Sequence, residues 1–185
     1  MNSKIYTGKG DDGTTGLLGV GRVLKSDERI EVLGCLDEAN AVLGLARSLT
    51  ANEQIKATIL RVQKELYLFS AEVAAVDDKK GHFQKLSMVN VEWLGNQAET
   101  FSTQVSMPEE FIVPGDTPAG GGLSLARTVV RRAERALVRL NTTGSLKNPG
   151  VLLAYLNRLS SLCFALEIFE VLHRPLSSIT LAKEE

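Results

Sequence analysis

Histidine is nearly missing from this 185-residue chain, which carries only His82 and His173. A Ser-His-Asp triad or a histidine-ligated zinc hydrolase therefore has little to be built from. Glu170-x-x-His173 has the spacing used by di-iron helical bundles, but such sites need two copies, and Lys79 stands three residues before His82. Cysteine is as scarce. Cys35 and Cys163 lie far apart inside apolar stretches, without metal-ligand spacing, and read as buried reduced thiols of a cytosolic protein. Neither sign of charge dominates: 21 Lys and Arg against 22 Asp and Glu give a net charge of −1, which argues against a general nucleic-acid binder. Long apolar runs are missing too. None approaches the ~20 residues that span a bilayer, and Met1-Asn2-Ser3-Lys4 leads into glycines rather than an apolar segment. The expectation is a cytoplasmic protein, off the membrane, in one domain over residues 1–185.

What is present is helical period. Leu36, Ala39, Leu43 and Ala46 form one stripe, and Ile55, Ile59, Val62, Leu66, Phe69 and Val73 a second. Val91, Leu94, Ala98, Phe101 and Val105 form a third; Leu123, Ala126, Val130, Ala133, Leu137 and Leu140 a fourth. A fifth, from about Pro149 to His173, is richer and less strict, with Leu152, Tyr155, Leu156, Leu159, Leu162 and Leu166. Steps of three and four keep apolar residues on one helix face. Strand alternation is nowhere sustained, so the spacing predicts an all-α bundle of five helices, each of about 18–25 residues and about 30 Å long. Polar residues 77–87 and the stretch 107–122, ending in Gly120-Gly121-Gly122, fall outside the helical pattern.

Two segments carry potential chemistry. Thr7-Gly8-Lys9-Gly10-Asp11-Asp12-Gly13-Thr14-Thr15-Gly16 has the glycines that let successive N–H groups converge on an anion, with hydroxyls, Lys9 and a carboxylate, Asp11, that can act through a metal ion. Gly8-x-Gly10-x-x-Gly13 matches the dinucleotide fingerprint in form only, since that motif needs a preceding strand and just seven residues come before it. The P-loop is absent as well, because Leu24 stands where the Lys25-Ser26 pair would need glycine. A mobile tail accounts for this composition equally well. The second segment is the fourth helix, where Arg127, Arg131 and Glu134 share a face and Arg132, Arg135 and Arg139 lie beside them. Guanidinium forks suit phosphate oxygens; the competing reading is a solvated helix face. Asp37, Asn40 and Gly44 mark a polar and small face on the first helix, with Asp37 either a counter-charge or a first-turn acid. On the fifth, Asn157, Ser160 or Ser161, and Phe164 share a face, and Asn157 among leucines calls for a hydrogen-bond partner.

In order along the chain, these pieces resemble one family, the PduO-type ATP:cob(I)alamin adenosyltransferases. The resemblance rests on Thr7 to Thr15, Lys25-x-Asp27-x-Arg29, Gly34-x-x-Asp37-Glu38-x-Asn40 and Phe111-x-x-Pro114-Gly115. It continues through Ala126-Arg127, Arg131-Arg132-Ala133-Glu134-Arg135 and Leu156-Asn157-Arg158-Leu159-Ser160. It implies a homotrimer with sites between subunits. ATP would be held by Thr7, Gly8, Lys9, Gly10, Thr15, Gly16 and Lys25 together with Arg131, Arg132, Glu134, Arg135 and Asn157. Arg127, Arg131, Glu134 and Asp37 would serve the reaction, Arg127 pairing with Asp37 near the interface, while Phe111 and Phe164 would border the corrinoid. Mg²⁺, a cobalamin reductase and an adenosylcobalamin-dependent enzyme complete the implied partners. The chain departs from the family at Ser124, where a histidine is usual, and at Gly120–Gly122, which would loosen the entry to the fourth helix.

The implied chemistry suits this composition. Cobalt(I) is itself a nucleophile, so attack on the 5′ carbon of ATP needs no Ser, Cys or His, only positioning and neutralisation of the leaving triphosphate. An ATP-dependent phosphotransferase or ATPase on the same phosphate site is the rival enzyme reading. A non-catalytic corrinoid- or nucleotide-binding chaperone is the rival outside enzymes.

Overall fold

The computed structural model describes residues 7–19, 21–76 and 80–183. Five helices account for most of it: α1 (Glu28–Leu49), α2 (Glu53–Ala74), α3 (Met88–Ser102), α4 (Pro118–Asn141) and α5 (Pro149–Leu172). Their starts follow from local chemistry. Asp27 caps α1 by accepting from the Arg29 N–H, and Asn52 caps α2 by accepting from Gln54 and Ile55. Thr117 caps α4, with Pro118 in the first turn, where its missing N–H costs nothing. α1 packs against α2 and α4, and α5 against α3 and α4. Side chains close the ring between α2 and α3, with the Arg61 guanidinium 3.7 Å above the Trp93 ring and Asn90 donating to Glu65 at 3.1 Å.

Every residue of the first, second, fourth and fifth stripes named above is buried. α5 lacks strict alternation because it is buried on nearly all sides, against α4 and α3 and near α2. By length and composition it is apolar enough to cross a membrane, contrary to the reading of the sequence, but 61% of its most apolar window lies inside the bundle. Two deep polar anchors tie it to its neighbours: the Tyr155 hydroxyl donates to Glu65 at 3.0 Å, and Glu170 accepts from the Thr50 hydroxyl at 2.6 Å. Burial pushes the Tyr155 hydroxyl well above its ordinary range, so it stays a donor.

Two expectations are corrected. α3 is only 15 residues long and ends before Val105, which packs on the core from outside the helix. α4 begins at Pro118, so Gly120, Gly121 and Gly122 are helical and do not loosen its entry. Two of them permit close packing. A Cβ on Gly122 would lie 3.2 Å from the Ala46 Cβ of α1, and one on Gly120 would lie 2.8 Å from its own cap, Thr117 Oγ1, and 3.2 Å from Val171 of α5.

The structure also contains a short hairpin, β1 (Thr14–Gly16) paired antiparallel with β2 (Arg22–Leu24), Thr15 opposite Val23. Three-residue strands are too short to show alternation in sequence. The hairpin is tied to the C-terminal end of α2, where Leu18 N donates to Ala74 O at 3.0 Å and Val76 N to Leu18 O at 2.8 Å.

Candidate functional site

The N-terminal segment is an ordered turn-and-hairpin. Gly8 and Gly13 take positive φ, +69° and +80°, which only glycine adopts freely, and close turns through Asp11 N to Gly8 O and Gly13 N to Gly10 O. Asp12 accepts from the Thr14 N–H at 2.9 Å and its hydroxyl at 2.8 Å, and the backbone bond foremost holds the Asp12 carboxyl below the usual range. Arg22, which the sequence reading passed over, clamps the loop. It donates to Lys9 O, Thr14 O and Thr14 Oγ1 and pairs with Asp12 at 3.8 Å. Only its place opposite a glycine-rich run hinted at this. Lys25 reaches back over the loop, so that a Cβ on Gly10 would lie 3.3 Å from Lys25 Nζ. Thr7, Gly8, Lys9 and Lys25 are exposed and Gly10 is half-buried beneath Lys25, with Thr15 and Gly16 in β1. Among the described residues, no hydrogen bond or ion pair joins this hairpin to α4.

The second region is a cleft of about 400 Å³ between α4, α5 and the segment 110–114. Arg127 and Arg131 line it from α4, Ser160, Ser161, Phe164 and Glu167 from α5, and Phe111 from the loop. Phe111 is 85% exposed, so within the chain its ring is no anchor for the loop. The backbone does that work by pairing with the tail after α5, Val113 N to Thr180 O at 2.8 Å and Ala182 N to Phe111 O at 2.7 Å. Asp116 secures the tail through the Thr180 N–H and hydroxyl at 2.9 and 2.7 Å.

One turn further along α4, Glu134 accepts from the Asn157 amide at 3.4 Å, and Arg158 donates to Asn157 Oδ1 at 3.0 Å. Asn157 is exposed rather than enclosed by its leucine neighbours, and its partner within the chain is the Glu134 side chain. Arg135 donates to Arg131 O at 3.1 Å. Arg132 points away from the cleft and pairs with Glu38 of α1. Within one chain the expected Asp37–Arg127 pair is not made, because Arg127 faces α5 across the cleft while Asp37 is exposed on α1. The polar face of α1 divides as well: Asn40 and Gly44 lie against Gln63 of α2, which donates to Asn40 O at 3.1 Å.

Glu110 and Glu167 are cleft residues that the sequence reading missed; for Glu167 the signal was a lone carboxylate in Ala165-Leu166-Glu167-Ile168-Phe169. Glu167 is 2% exposed. Burial pushes its carboxyl up to about 7, against the opposing pull of Ser124 and Arg127, with Asp116 adding to the rise. Its Oε2 and the Arg127 Nε are both buried without a hydrogen-bond partner. Among the described residues no cluster of three His, Cys, Asp or Glu could hold a metal ion.

The chain as a whole is similar to known proteins. A family model described as Cobalamin adenosyltransferase matches residues 5–170. The chain is 39% identical over 163 residues to the corrinoid adenosyltransferase PduO of Citrobacter freundii, covering 88% of this chain and 48% of that protein. It thus spans about half the length of the PduO relatives, a second being that of Salmonella typhimurium. It is 36% identical to the corrinoid adenosyltransferase of Bacillus subtilis, covering 88% of this chain and 83% of that one. Among solved structures, a single-substitution variant of the PduO-type ATP:corrinoid adenosyltransferase from Lactobacillus reuteri, complexed with cobalamin and ATP, superposes with a TM-score of 0.87. It shows 29% identity and covers 98% of this chain and 100% of that one.

Proposed function

Because this chain belongs to the cobalamin adenosyltransferase family, we propose that it transfers the 5′-deoxyadenosyl group of ATP to the cobalt(I) of a corrinoid and releases triphosphate. The observation that carries this reading is the α4–α5 cleft, which sets Arg127 and Arg131 opposite the aromatic rings of Phe111 and Phe164. A macrocycle with apolar faces suits the rings, and a developing polyanion suits the guanidinium groups. Cobalt(I) supplies the electron pair, the new bond forms to the 5′ carbon, and the C–O bond to triphosphate breaks. No proton moves, so the absence of a placed acid or base is no obstacle. Phe111 forms the wall that keeps water and a lower ligand off cobalt.

The nucleotide site requires more than one copy of the chain. Thr7, Gly8, Lys9, Gly10, Thr15, Gly16 and Lys25 lie on a hairpin tied to α2, whereas Arg131, Glu134, Arg135 and Asn157 lie along α4 and α5. A homotrimer that lays the hairpin of one subunit over α4 of the next completes the site, and exposed Asp37 then meets Arg127 across the interface. Arg132, held by Glu38 within the chain, takes part only if that exposed pair opens. Mg²⁺ fits as a cation carried chiefly by the triphosphate oxygens and water, with Asp11 and Glu134 the carboxylates nearest in role. Cobalt(I) requires a reductase, and the buried thiols Cys35 and Cys163, the latter pushed up to about 12 by burial, suit a reducing cytoplasm. An adenosylcobalamin-dependent enzyme would use the product.

The test mixes the protein with ATP, Mg²⁺ and chemically reduced cobalamin and follows the absorbance change of the cobalt–carbon bond. The expected result is one adenosylcobalamin and one intact triphosphate per ATP. Release of ADP with no alkylated cobalt would favour a phosphotransferase and sink the proposal.

A further inference from the structure

Two residues that line the cleft each keep a polar atom that no group of the chain satisfies. Glu167 Oε2 and Arg127 Nε are buried without hydrogen-bond partners, and no ion pair joins the two side chains. A buried polar atom left unpaired is costly, and two such atoms just beneath the surface of residues that line one cleft mark where a ligand's polar group belongs. One is an acceptor and the other a donor. Among the polar groups on a corrinoid's rim, a primary carboxamide satisfies both: its N–H donates to the carboxylate while its carbonyl accepts from the guanidinium. Above the value of about 7 to which burial raises the Glu167 carboxyl, an ionised carboxylic acid cannot do this. It has no hydrogen for Glu167 and sets a second negative charge against it. A cleft of about 400 Å³ takes an edge of a macrocycle with its side arm rather than the whole ring.

Corrinoids carry such arms. The rim of cobalamin bears acetamide and propionamide chains, and less processed corrinoids bear the corresponding acids. We infer that Glu167, working with the Nε of Arg127, is a specificity-determining residue that selects a corrinoid whose arm in this cleft is amidated. The assignment rests on the corrinoid reading of the cleft. Ser124 lines the same cleft and sets a small hydroxyl beside the carboxylate.

The experiment measures binding, at pH 8 where Glu167 is ionised, of intact cobalamin and of its isomeric monocarboxylic acids, made by mild hydrolysis, to the ATP-loaded protein. Wild-type protein is expected to bind intact cobalamin about tenfold more tightly than one of the isomers. Glu167→Gln keeps the shape of the side chain and removes its charge. It should narrow that preference at least about fivefold, mostly by improving the acid's affinity, with the other isomers and ATP unaffected. Arg127→Gln serves as the second variant and should weaken the intact corrinoid without improving the acid. An unchanged preference in Glu167→Gln, with helix content retained, overturns the assignment while leaving adenosyl transfer intact. Failure of the wild-type protein to bind any corrinoid removes the function itself, and the assignment with it.

Discussion

In the N-terminal hairpin the Asp12 carboxylate, the Arg22 guanidinium and Thr14 satisfy one another, whereas in the α4–α5 cleft Arg127 Nε and Glu167 Oε2 face no partner. The hairpin is polar, exposed and bonded to itself, a shape prepared before any ligand arrives. The cleft is partly buried and keeps polar capacity in reserve. A loop with few apolar contacts must hold its shape by local hydrogen bonds or lose it. A cleft walled by two packed helices can leave polar atoms unpaired, because the bundle stabilises the fold around them.

The largest expected effect breaks the cleft side of that contrast. Arg131 is exposed in the chain, so Arg131→Ala leaves no buried orphan and should not disturb the helices. Losing one electrostatic contact to the departing triphosphate should lower kcat/KM for ATP by about 10²–10³. Steady-state kinetics beside a far-ultraviolet spectrum checks this, and near-normal turnover would take α4 out of the phosphate site.

Phe111→Ala is next in size. An 85% exposed ring has little packing within the chain to lose, so stability should change by no more than about 0.5 kcal/mol. Alkylation starting from cob(II)alamin should fall roughly tenfold, about 1.4 kcal/mol, while pre-reduced cobalt(I), already without its lower ligand, should suffer less. Equal losses from both cobalt states together with a lowered Tm would make Phe111 a structural residue.

Arg22→Ala tests the hairpin side. Removing the clamp frees Lys9 O and Thr14 and disorganises the loop without touching the core. The KM for ATP should rise about three- to tenfold, with corrinoid binding unchanged. An unaltered KM would mean that the hairpin keeps its shape without Arg22.

How far the sequence foretold these regions depends on range. The helices were legible because burial imposes a 3.6-residue period on Leu36, Ile59, Val130 and their neighbours, and Arg127, Arg131, Phe111 and Phe164 do line one cleft. The β1–β2 hairpin was hidden because three residues carry no period. Gly120–Gly122 were misread because glycine marks a loop and a close helix contact equally well; only the Ala46 and Val171 neighbours decide. Glu167 was visible as a charge in an apolar run, but its meaning came from Arg127 and Ser124, some forty residues away and on another helix.

The smallest effect sharpens the comparison, because the cleft should make stability depend on pH through a buried acid whose Oε2 lacks a partner. Glu167 binds its proton with a value of about 7 when folded, against about 4.5 when unfolded, burial being the main cause. Between these values the folded state retains a proton that the unfolded state releases, so stability declines as pH rises. Its contribution is complete below about pH 4.5, fades through the interval to about 7, and is flat above. Glutamine stays neutral throughout. Without ligand, Glu167→Gln should therefore match the wild type at pH 4.5 and exceed it at pH 8 by about 1–3 kcal/mol, each kcal/mol being worth about 2–4 °C in Tm at this size. Asp12 is a contrast within the same chain. Its carboxyl is held low by Thr14, so its contribution has the opposite sign, present above its unfolded value and lost only in acid. Paired melting curves of the wild type and Glu167→Gln from pH 4.5 to 8 decide the matter. A Tm difference that stays constant with pH, or shrinks as pH rises, would show that Glu167 is already solvated or paired and that the cleft holds no polar capacity in reserve.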